Sequence, residues 1–416
     1  MLSPQAGTNI SDSQIVERPK VIYNEKNEEY VMWFHGECGH IHQSDKTNSR
    51  SIDRSTNLQP PRPNHTLTPT PPLGDSSNYG AAQVGVATSP SISAPYTWRG
   101  NFKPFNNDSR DQTVWKDPDT QAAYLIYATN NNADFSIASL DADYYAPNAT
   151  LHTFPGVYWE APGVFKIADV FYLIFSRQDG WTPTDNFYMT APSMSGPWSD
   201  ATLLAPEGSY AYLTQNAYDI VIQGSESEEV TYLYYGDHWS GSQLGSSTYS
   251  FHPVVTSDSS STTTTLSLHK TGAWTLDLQT GAWSDLPFAH TTAAHSLTAN
   301  ETLVACEDGC AGGLGANMTS TSSFSFAWEG SAGKKVLGFE YVYDGPKNRF
   351  LQGAVAVNGV VAEGLVLLET TRGTAVAQEA PFAVGLGEGD EVSLELVDWD
   401  GGVFLVEGVK VYEDLR

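Results

Sequence analysis

Four polar residues stand at the start of four similar stretches of the chain, and their side chains could do acid–base chemistry on a polar substrate. They are Glu17, Asp111, Glu160 and Gln215. Glu160 is the sharpest candidate, because its apolar neighbours Tyr158 and Trp159 would raise the pKa of its carboxyl group. A carboxylic acid that stays protonated near neutral pH can protonate the leaving oxygen of a glycosidic bond. A strand-edge Glu that bonds a neighbouring sheet is an equally good interpretation.

The other three residues leave alternatives open. Asp111 follows Arg110, and Glu17 precedes Arg18, so each carboxylate could form a structural salt bridge or tune the ionisation of a nearby acid. Gln215 cannot ionise, which makes it a poor conventional base. An amide that bonds sugar hydroxyls is its simpler role.

Three aromatic residues, Tyr79, Trp181 and Trp239, could stack on the apolar face of a pyranose ring, although packing inside a sheet is the commoner fate of such side chains. Other chemistries have little support. There is no His-Glu-x-x-His arrangement, no nucleophile elbow and no phosphate-binding glycine loop. The sequence therefore predicts neither a catalytic zinc ion nor any required cofactor.

The elements that must position these residues repeat along the chain. After each polar residue comes a second stretch rich in Tyr, Trp, Phe and aliphatic residues. These stretches are 30–35, 124–127, 171–175 and 232–235. The last three repeats start roughly 50 residues apart, a period typical of β-propeller blades. Because a propeller arranges the first strand of every blade around one channel, we expect the four polar residues to converge on one pocket.

Composition agrees with an all-β chain. The 416 residues include 21 Tyr, 17 Phe and 11 Trp and are enough for two domains. The net charge of −27 disfavours nucleic acid and anionic membranes as partners, and suits a soluble protein with a neutral ligand. No apolar run approaches about 18 residues, so no membrane span is expected.

Two domains are predicted. Residues 1–288 form the propeller, and the polar, proline-rich segment 36–74 is a disordered insert within it. A hairpin at 274–283 closes this domain, and residues 289–299 form a linker. Residues 300–416 alternate short strands with glycine-rich turns, which predicts a β-sandwich. Its predicted strands are 324–328, 336–343, 352–357, 392–397 and 403–412.

Secretion is favoured by the glycosylation sequons, although the N-terminus lacks the basic start and apolar core of a signal peptide. The sequons lie at Asn9, Asn64, Asn107, Asn148, Asn300 and Asn317. In an extracellular protein, Cys306 and Cys310 would form a small disulfide loop and leave Cys38 over. The C-terminal acids that could bind calcium, or simply form a solvated acidic face, are Glu301, Glu307, Asp308 and Asp398.

An ordered set of motifs over residues 14–285 resembles fungal enzymes of glycoside hydrolase family 43, in the galactan 1,3-β-galactosidase branch. The motifs are Glu17-Arg-Pro-Lys20, Asn78-Tyr-Gly80, Ser109-Arg-Asp111, Glu160-Ala-Pro162, Gly180-Trp181, Ser195-Gly-Pro-Trp198 and Gly236-Asp-His-Trp239. Residues 300–416 resemble, more weakly, carbohydrate-binding modules of families 35 and 6. The resemblance implies a five-bladed propeller and exo-acting, inverting hydrolysis of terminal β-1,3-galactosyl links.

Roles follow from the resemblance residue by residue. Glu160 would be the general acid, Asp111 the residue that tunes it, and Gln215 the residue that orients the attacking water. The substrate-binding residues would be Glu17, Tyr79, Trp181, Asp237 and Trp239. The partner would be a β-1,3-galactan or arabinogalactan polysaccharide, and we expect a monomer.

The family pattern places a first blade before Ile15, so we expect a propeller without that blade. Two alternatives remain. One is a catalytically inactive glycan-binding protein. The other is a different family 43 specificity, arabinofuranosidase or xylosidase, against which the context of Gln215 argues.

Overall fold

The structure, a computed structural model, contains strands almost throughout, as the all-β composition predicts. The residues it describes are 15–37, 80–93, 95–180, 182–239, 247–257, 264–270, 272–286, 288–293, 298–299, 303–305, 314–319, 323–345, 350–369, 378–397 and 401–413. The predicted insert 36–74 lies almost wholly outside these residues. No helix within the described ranges is both long enough and apolar enough to cross a membrane.

Four antiparallel sheets of four strands follow one another along the chain. The first contains β1 (Ile15–Asn24), β2 (Glu29–Glu37), β3 (Gln83–Ser89) and β4 (Thr97–Phe102). The second contains β5 (Gln112–Lys116), β6 (Ala123–Thr129), β7 (Asp134–Leu140) and β8 (Pro147–Phe154). The third contains β9 (Trp159–Ile167), β10 (Val170–Arg177), β11 (Asn186–Ala191) and β12 (Thr202–Leu203). The fourth contains β13 (Gln215–Gln223), β14 (Val230–His238), β15 (Thr248–Ser257) and β16 (Thr265–Leu268).

These sheets confirm the repeat found in the sequence. Each aromatic-rich stretch forms the second strand of its sheet, which pairs on one side with the first strand and on the other with the third. The buried runs of these second strands explain their composition, because a strand covered on both faces needs apolar side chains on both. Two single helical turns interrupt the sheets, at Pro104–Asn106 and Tyr210–Leu213.

By its internal contacts the chain divides into two compact units. The first comprises Met1–Gln178 with Met189–Ala201, and the second Asp179–Tyr188 with Thr202–Arg416. In the first unit, one apolar cluster joins the first two sheets, and Trp33 donates its indole N–H to the carbonyl of Tyr144 at 2.8 Å. Trp159 of the third sheet packs against Phe135 of the second at 5.9 Å between ring centroids. Face-to-face packing of sheets therefore holds this unit together.

The second unit continues with a hairpin and two larger antiparallel sheets. The hairpin pairs β17 (Trp274–Leu276) with β18 (Trp283–Asp285), as predicted. The remaining strands are β19 (Phe288–Ala293), β20 (Thr298–Ala299), β21 (Leu303–Ala305), β22 (Leu314–Met318), β23 (Ser323–Ala327), β24 (Gly333–Asp344), β25 (Phe350–Val357), β26 (Val360–Val361), β27 (Val366–Glu369), β28 (Gln378–Leu386), β29 (Glu391–Leu396) and β30 (Val403–Glu413).

These twelve strands form two six-stranded sheets that share one apolar core. One sheet runs β21-β22-β30-β24-β28 with β19 on β30, and the other runs β20-β23-β29-β25-β26 with β27 on β25. Large side chains from both sheets are buried between them, among them Phe324, Trp328, Phe339, Leu394 and Phe404. The five strands predicted for this region all form.

Two features of this region differ from the sequence prediction. Residues 289–293, expected to be linker, belong to β19, which pairs with β30. The short segment Phe288-Ala-His-Thr-Thr-Ala293 can satisfy its backbone groups by adding to the edge of an existing sheet, and this sheet is remote in sequence. Strand β28 was not expected from the sequence, although its alternate residues Ala380, Phe382, Val384 and Leu386 pack into the core.

Candidate active site

Three of the four first strands contain a one-residue bulge close to the polar residue, directly after it in β1 and β9 and after Asn216 in β13. In β1 the register shifts between Glu17 and Lys20, and in β13 it shifts between Asn216 and Tyr218. In β9 it shifts between Glu160 and Gly163, opposite Ile174 and Ser176. In each case the extra residue is on the first strand. Bulges bend a strand and re-aim its side chains, and they are over-represented next to active sites.

Two of these bulges share one local structure, which corrects a sequence expectation. Glu17 and Glu160 are each followed by a residue with positive φ, Arg18 at 47° and Ala161 at 55°, and then by proline. Proline disfavours the helical region in the residue before it, so the local sequence by itself indicates an extended residue before Pro162. Instead Ala161 is left-handed and buried. The hydrogen bond of its N–H helps to hold this unfavourable conformation.

That hydrogen bond connects two first strands through Asp111. The backbone N–H of Ala161 donates to Asp111 Oδ2 at 3.0 Å. The other carboxylate oxygen, Oδ1, lies 2.8 Å from Nε of Arg18 on β1. Asp111 therefore binds the residue after Glu17 on one side and the residue after Glu160 on the other.

The Arg18 partnership also corrects the sequence-based pairing of Asp111 with Arg110. The cationic side chain that acts most strongly on Asp111 is that of Arg18. Arg18 is 8% exposed and Asp111 19% exposed, which makes the pair largely buried. Gln112 strengthens the link by donating its side-chain N–H to the Arg18 carbonyl at 2.8 Å.

The ionisation of Asp111 reflects these contacts. Burial by itself would raise the pKa of Asp111, but the charges of Arg18 and His35 and the N–H of Ala161 outweigh it. The pKa of Asp111 therefore lies below its ordinary value. Asp111 is held as a carboxylate at the pH at which most proteins work.

Glu17 has a buried partner that the sequence did not reveal. His35 on β2 lies directly opposite Glu17 in the register, and its Nδ1 is 3.3 Å from Glu17 Oε2. His35 is 2% exposed. Without the bulge, the register of the β1–β2 hairpin would pair His35 with Arg18. Counting across the hairpin alone could not have found the contact.

Glu160 lies on β9 opposite Ser176 and is half-buried. The two aromatic residues before it have different environments, since Trp159 packs against Phe135, Phe154 and Phe175, whereas Tyr158 is 56% exposed. Of the two predicted neighbours, only Trp159 therefore lies in an apolar environment.

In the second unit, three of the predicted residues lie together. Gln215 and Asp237 are cross-strand partners at one end of the β13–β14 pair, and both are buried. Trp239 follows β14 and donates its indole N–H to Gln215 Oε1 at 3.3 Å. The tryptophan predicted to stack on a sugar ring thus also fixes which end of the Gln215 amide is the oxygen.

The remaining predicted residues cannot be placed. Tyr79, Trp181, Cys306 and Cys310 lie outside the described residues, as do the four acids suggested for calcium. Among the residues that are described, no group of three or more His, Cys, Asp or Glu side chains could hold a metal ion. In the first unit the described candidates are carboxylates, an arginine and a histidine, which suit proton transfer, and in the second unit they are Gln215, Asp237 and Trp239.

Comparison with known proteins gives a specific relationship. No protein-family model and no curated protein sequence matches the chain. Among solved structures, the exo-β-1,3-galactanase of Phanerochaete chrysosporium with galactose has a TM-score of 0.80 and 32% identity, covering 99% of this chain and 85% of that chain. A variant of that enzyme with β-1,3-galactotriose has a TM-score of 0.80 and 31% identity over the same shares. The exo-β-1,3-galactanase of Clostridium thermocellum, with 22% identity and a TM-score of 0.54, covers 97% of this chain and 84% of that chain and shows the likeness of fold alone.

Four-stranded antiparallel sheets in series and the likeness to these enzymes together identify a β-propeller glycosidase, an enzyme that hydrolyses O-glycosyl bonds. The identity to the Phanerochaete enzyme extends over nearly the whole chain. This chain belongs to the exo-β-1,3-galactanase family, within glycoside hydrolase family 43.

Proposed function

We propose that this chain is an exo-acting, inverting hydrolase of terminal β-1,3-galactosyl linkages in galactan side chains. Glu160 donates a proton to the glycosidic oxygen as the bond breaks, and a water molecule oriented by Gln215 attacks the anomeric carbon from the opposite face. Galactose and galactotriose, the sugars bound in the Phanerochaete structures, support this substrate class.

The observation that carries the proposal is the position of Asp111. Its carboxylate is kept ionised by Arg18 and bonds the N–H directly after Glu160. A fixed negative charge beside an acid disfavours loss of the acid's proton, and the bond to Ala161 holds the backbone that carries it. Asp111 therefore supports Glu160 as a proton donor in two ways, through charge and through position.

The substrate-binding role is assigned to Glu17, with Tyr79, Trp181, Asp237 and Trp239 as further sugar contacts. A carboxylate that accepts hydrogen bonds from sugar hydroxyls needs a fixed orientation, and His35 beside Glu17 supplies one. We assign no required cofactor, and calcium binding to the C-terminal acids remains part of the proposal.

The architecture we propose is a five-bladed propeller followed by a carbohydrate-binding β-sandwich that resembles modules of families 35 and 6. The single core shared by two six-stranded sheets supports the sandwich. The sequons support secretion as a glycoprotein, and the likeness to the Phanerochaete enzyme supports a fungal origin. We propose a monomer.

The test is to incubate the purified chain with β-1,3-galactooligosaccharides and measure released galactose. The Glu160→Gln variant should lose hydrolysis and retain binding, because the amide keeps the shape but cannot donate the acid proton. Proton NMR of the first product should show α-galactose, which is the outcome of inversion. Release of internal oligosaccharides would contradict exo action.

A matched control is Glu228→Gln, the same chemical change in an exposed turn, which should leave turnover unchanged. Full activity of Glu160→Gln would overturn the assignment of the acid. Binding of galactan without hydrolysis by the parent chain would favour a glycan-binding protein. Cleavage of nitrophenyl arabinofuranoside or xyloside in preference to the galactoside would favour the other family 43 specificities.

A further inference from the structure

The segment before Gln215 has an unusual backbone. Four successive residues, Tyr210 to Leu213, have positive φ angles of 53°, 49°, 59° and 64° and form one left-handed turn. None of them is glycine, and each such residue costs roughly 1–2 kcal/mol relative to the right-handed form. A run of this kind persists only where surrounding contacts hold it.

Two consecutive residues in the second unit supply those contacts. Asp185 accepts hydrogen bonds from the N–H of Tyr210 at 2.9 Å and the N–H of Gly208 at 3.0 Å, and so binds the start of the turn. Its neighbour Asn186, which is 0% exposed, acts at the other end, around Gln215.

Asn186 bonds the chain on both sides of Gln215. Its Nδ2 donates to the carbonyl of Thr214 at 3.3 Å, and its Oδ1 accepts from the N–H of Asn216 at 3.3 Å. Nδ2 also donates to the carbonyl of Thr184 at 3.0 Å. The partners fix the amide orientation, because a flipped amide would face its oxygen toward two carbonyl oxygens.

Tyr234 completes the network from β14. Its hydroxyl lies 3.3 Å from Asn186 Oδ1 and 3.1 Å from Thr214 Oγ1, and Thr214 donates its hydroxyl to the Ala211 carbonyl at 2.6 Å. The side chains of Asn186, Thr214 and Tyr234 are all buried. Buried polar networks of this kind define one conformation, because each unmade bond leaves a desolvated group without a partner.

We infer that Asn186 is a positioning residue for Gln215. It clamps the peptide groups before and after Gln215 and so fixes where the carboxamide points. The inference rests on the proposed role of Gln215 in orienting the attacking water. Asn186 itself acts only through Gln215 and the adjacent backbone.

The experiment measures galactose release from β-1,3-galactobiose by the parent, Asn186→Ala, Gln215→Ala and the double variant, each well below its melting temperature. We expect Asn186→Ala to lower kcat on the order of 10²-fold with little change in KM, since small misplacement of a catalytic group has effects of this size. We expect the double variant to match Gln215→Ala, because the two residues act as one unit.

The matched control is Asn24→Ala. Asn24 is also a buried asparagine that bonds backbone on both sides, donating to the Ala142 carbonyl at 3.0 Å and accepting from the Asn27 N–H at 3.0 Å, but it belongs to the β1–β2 turn. It should lower the melting temperature without changing kcat. A merely structural Asn186 would behave in the same way.

Three results separate the outcomes. Unchanged turnover by Gln215→Ala would overturn the role of Gln215, and with it the proposed function. If kcat falls in Gln215→Ala but not in Asn186→Ala, only the inference about Asn186 is overturned. The same holds if the losses in kcat of the two single variants multiply in the double variant. If Asn186→Ala does not fold, Tyr234→Phe removes one bond of the network, and a kcat equal to that of the parent would then count against the inference.

Discussion

Arg18 Nε lies 2.8 Å from Asp111 Oδ1, so a residue in the bulge of β1 is paired with the carboxylate that also binds the backbone after Glu160. The pair is made by residues 93 positions apart in the chain and is largely buried. Through Asp111, the residue that follows Glu17 and the residue that follows Glu160 are bound to the same carboxylate. The first prediction depends on this pair.

Replacing Arg18 with Met should destabilise the protein at neutral pH and make its stability less dependent on pH in the acid range. Breaking one partner of a buried ion pair costs about 3–5 kcal/mol, and the bond from Ala161 and the partial exposure of Asp111 place this case at about 3 kcal/mol. In the parent, the lowered pKa of Asp111 means that its carboxylate stabilises the fold above the ordinary Asp pKa. This stabilisation is lost as pH falls through the lowered folded-state pKa.

Arg18→Met should raise the folded-state pKa of Asp111 toward or above its unfolded value, so the variant should lose less stability than the parent as pH falls, and the difference in stability between the two should shrink. Urea unfolding at a series of pH values between 7 and 3 would measure this. Arg18→Lys is the control, because it keeps the charge but not the planar guanidinium, and it should lie between the two. Parallel pH curves for parent and Arg18→Met would contradict the prediction.

Replacing His35 with Gln should weaken substrate binding more than turnover. The imidazole contacts Glu17 at 3.3 Å in a buried position, and the substitution removes the imidazole while it keeps a polar side chain. We expect KM to rise about tenfold, which is about 1.4 kcal/mol. Initial rates on β-1,3-galactobiose give both constants. The control is His152→Gln, a change of the same kind in β8, which should leave KM unaltered. If KM is also unaltered in His35→Gln, Glu17 does not need this partner for substrate binding.

His252 should make the protein acid-labile. Burial, the largest effect, lowers the pKa of His252 to about 4. His252 is then protonated near pH 6.5 in the unfolded chain, but only near pH 4 in the folded protein. Above pH 6.5 the titration of His252 does not reduce the free energy of unfolding. As pH drops toward 4, that free energy falls by up to about 3 kcal/mol.

His252→Gln should flatten this part of the stability curve, although the lost contact of His252 Nε2 with Ser250 Oγ at 2.9 Å should make the variant less stable at pH 7. Denaturant unfolding at pH 7, 6, 5 and 4 compares the slopes. The same slope in both proteins would show that His252 takes up its proton in the folded state at an ordinary pH.

Replacing Gly236 with Ala should disturb Gln215 from the neighbouring strand. A Cβ on Gly236 would lie 2.6 Å from a ring carbon of Tyr234 and 2.8 Å from Thr214 Oγ1. Because both neighbours are buried, we expect a loss of about 1–3 kcal/mol in stability together with a lower kcat. Gly385→Ala is the control, since its Cβ would meet nothing within 4 Å. Thermal unfolding measures the loss of stability, and galactose release measures kcat. A kcat equal to that of the control would show that Gly236 does not affect Gln215.

Much of the fold follows from local pattern. The aromatic-rich second strands, the closing hairpin and five strands of the C-terminal region were predictable, because apolar runs and turn residues are properties of short segments. The candidate residues Glu17, Asp111, Glu160 and Gln215 were also predictable, since their place before such strands repeats along the chain. Strand β19 was not, because its partner β30 lies more than a hundred residues later.

The sequence alone therefore indicates many of the strands and the polar residues near the start of four of them, since alternation and turn chemistry act over a few residues. It does not specify the partners of those polar residues. His35 faces Glu17 only because one extra residue bulges out of β1, Asp111 meets Arg18 rather than the adjacent Arg110, and Ala161 is left-handed despite the proline that follows it. These contacts join segments distant in the chain, and their energy can exceed local preferences of about a kilocalorie per mole. Only the assembled tertiary structure brings such segments close enough for those energies to act.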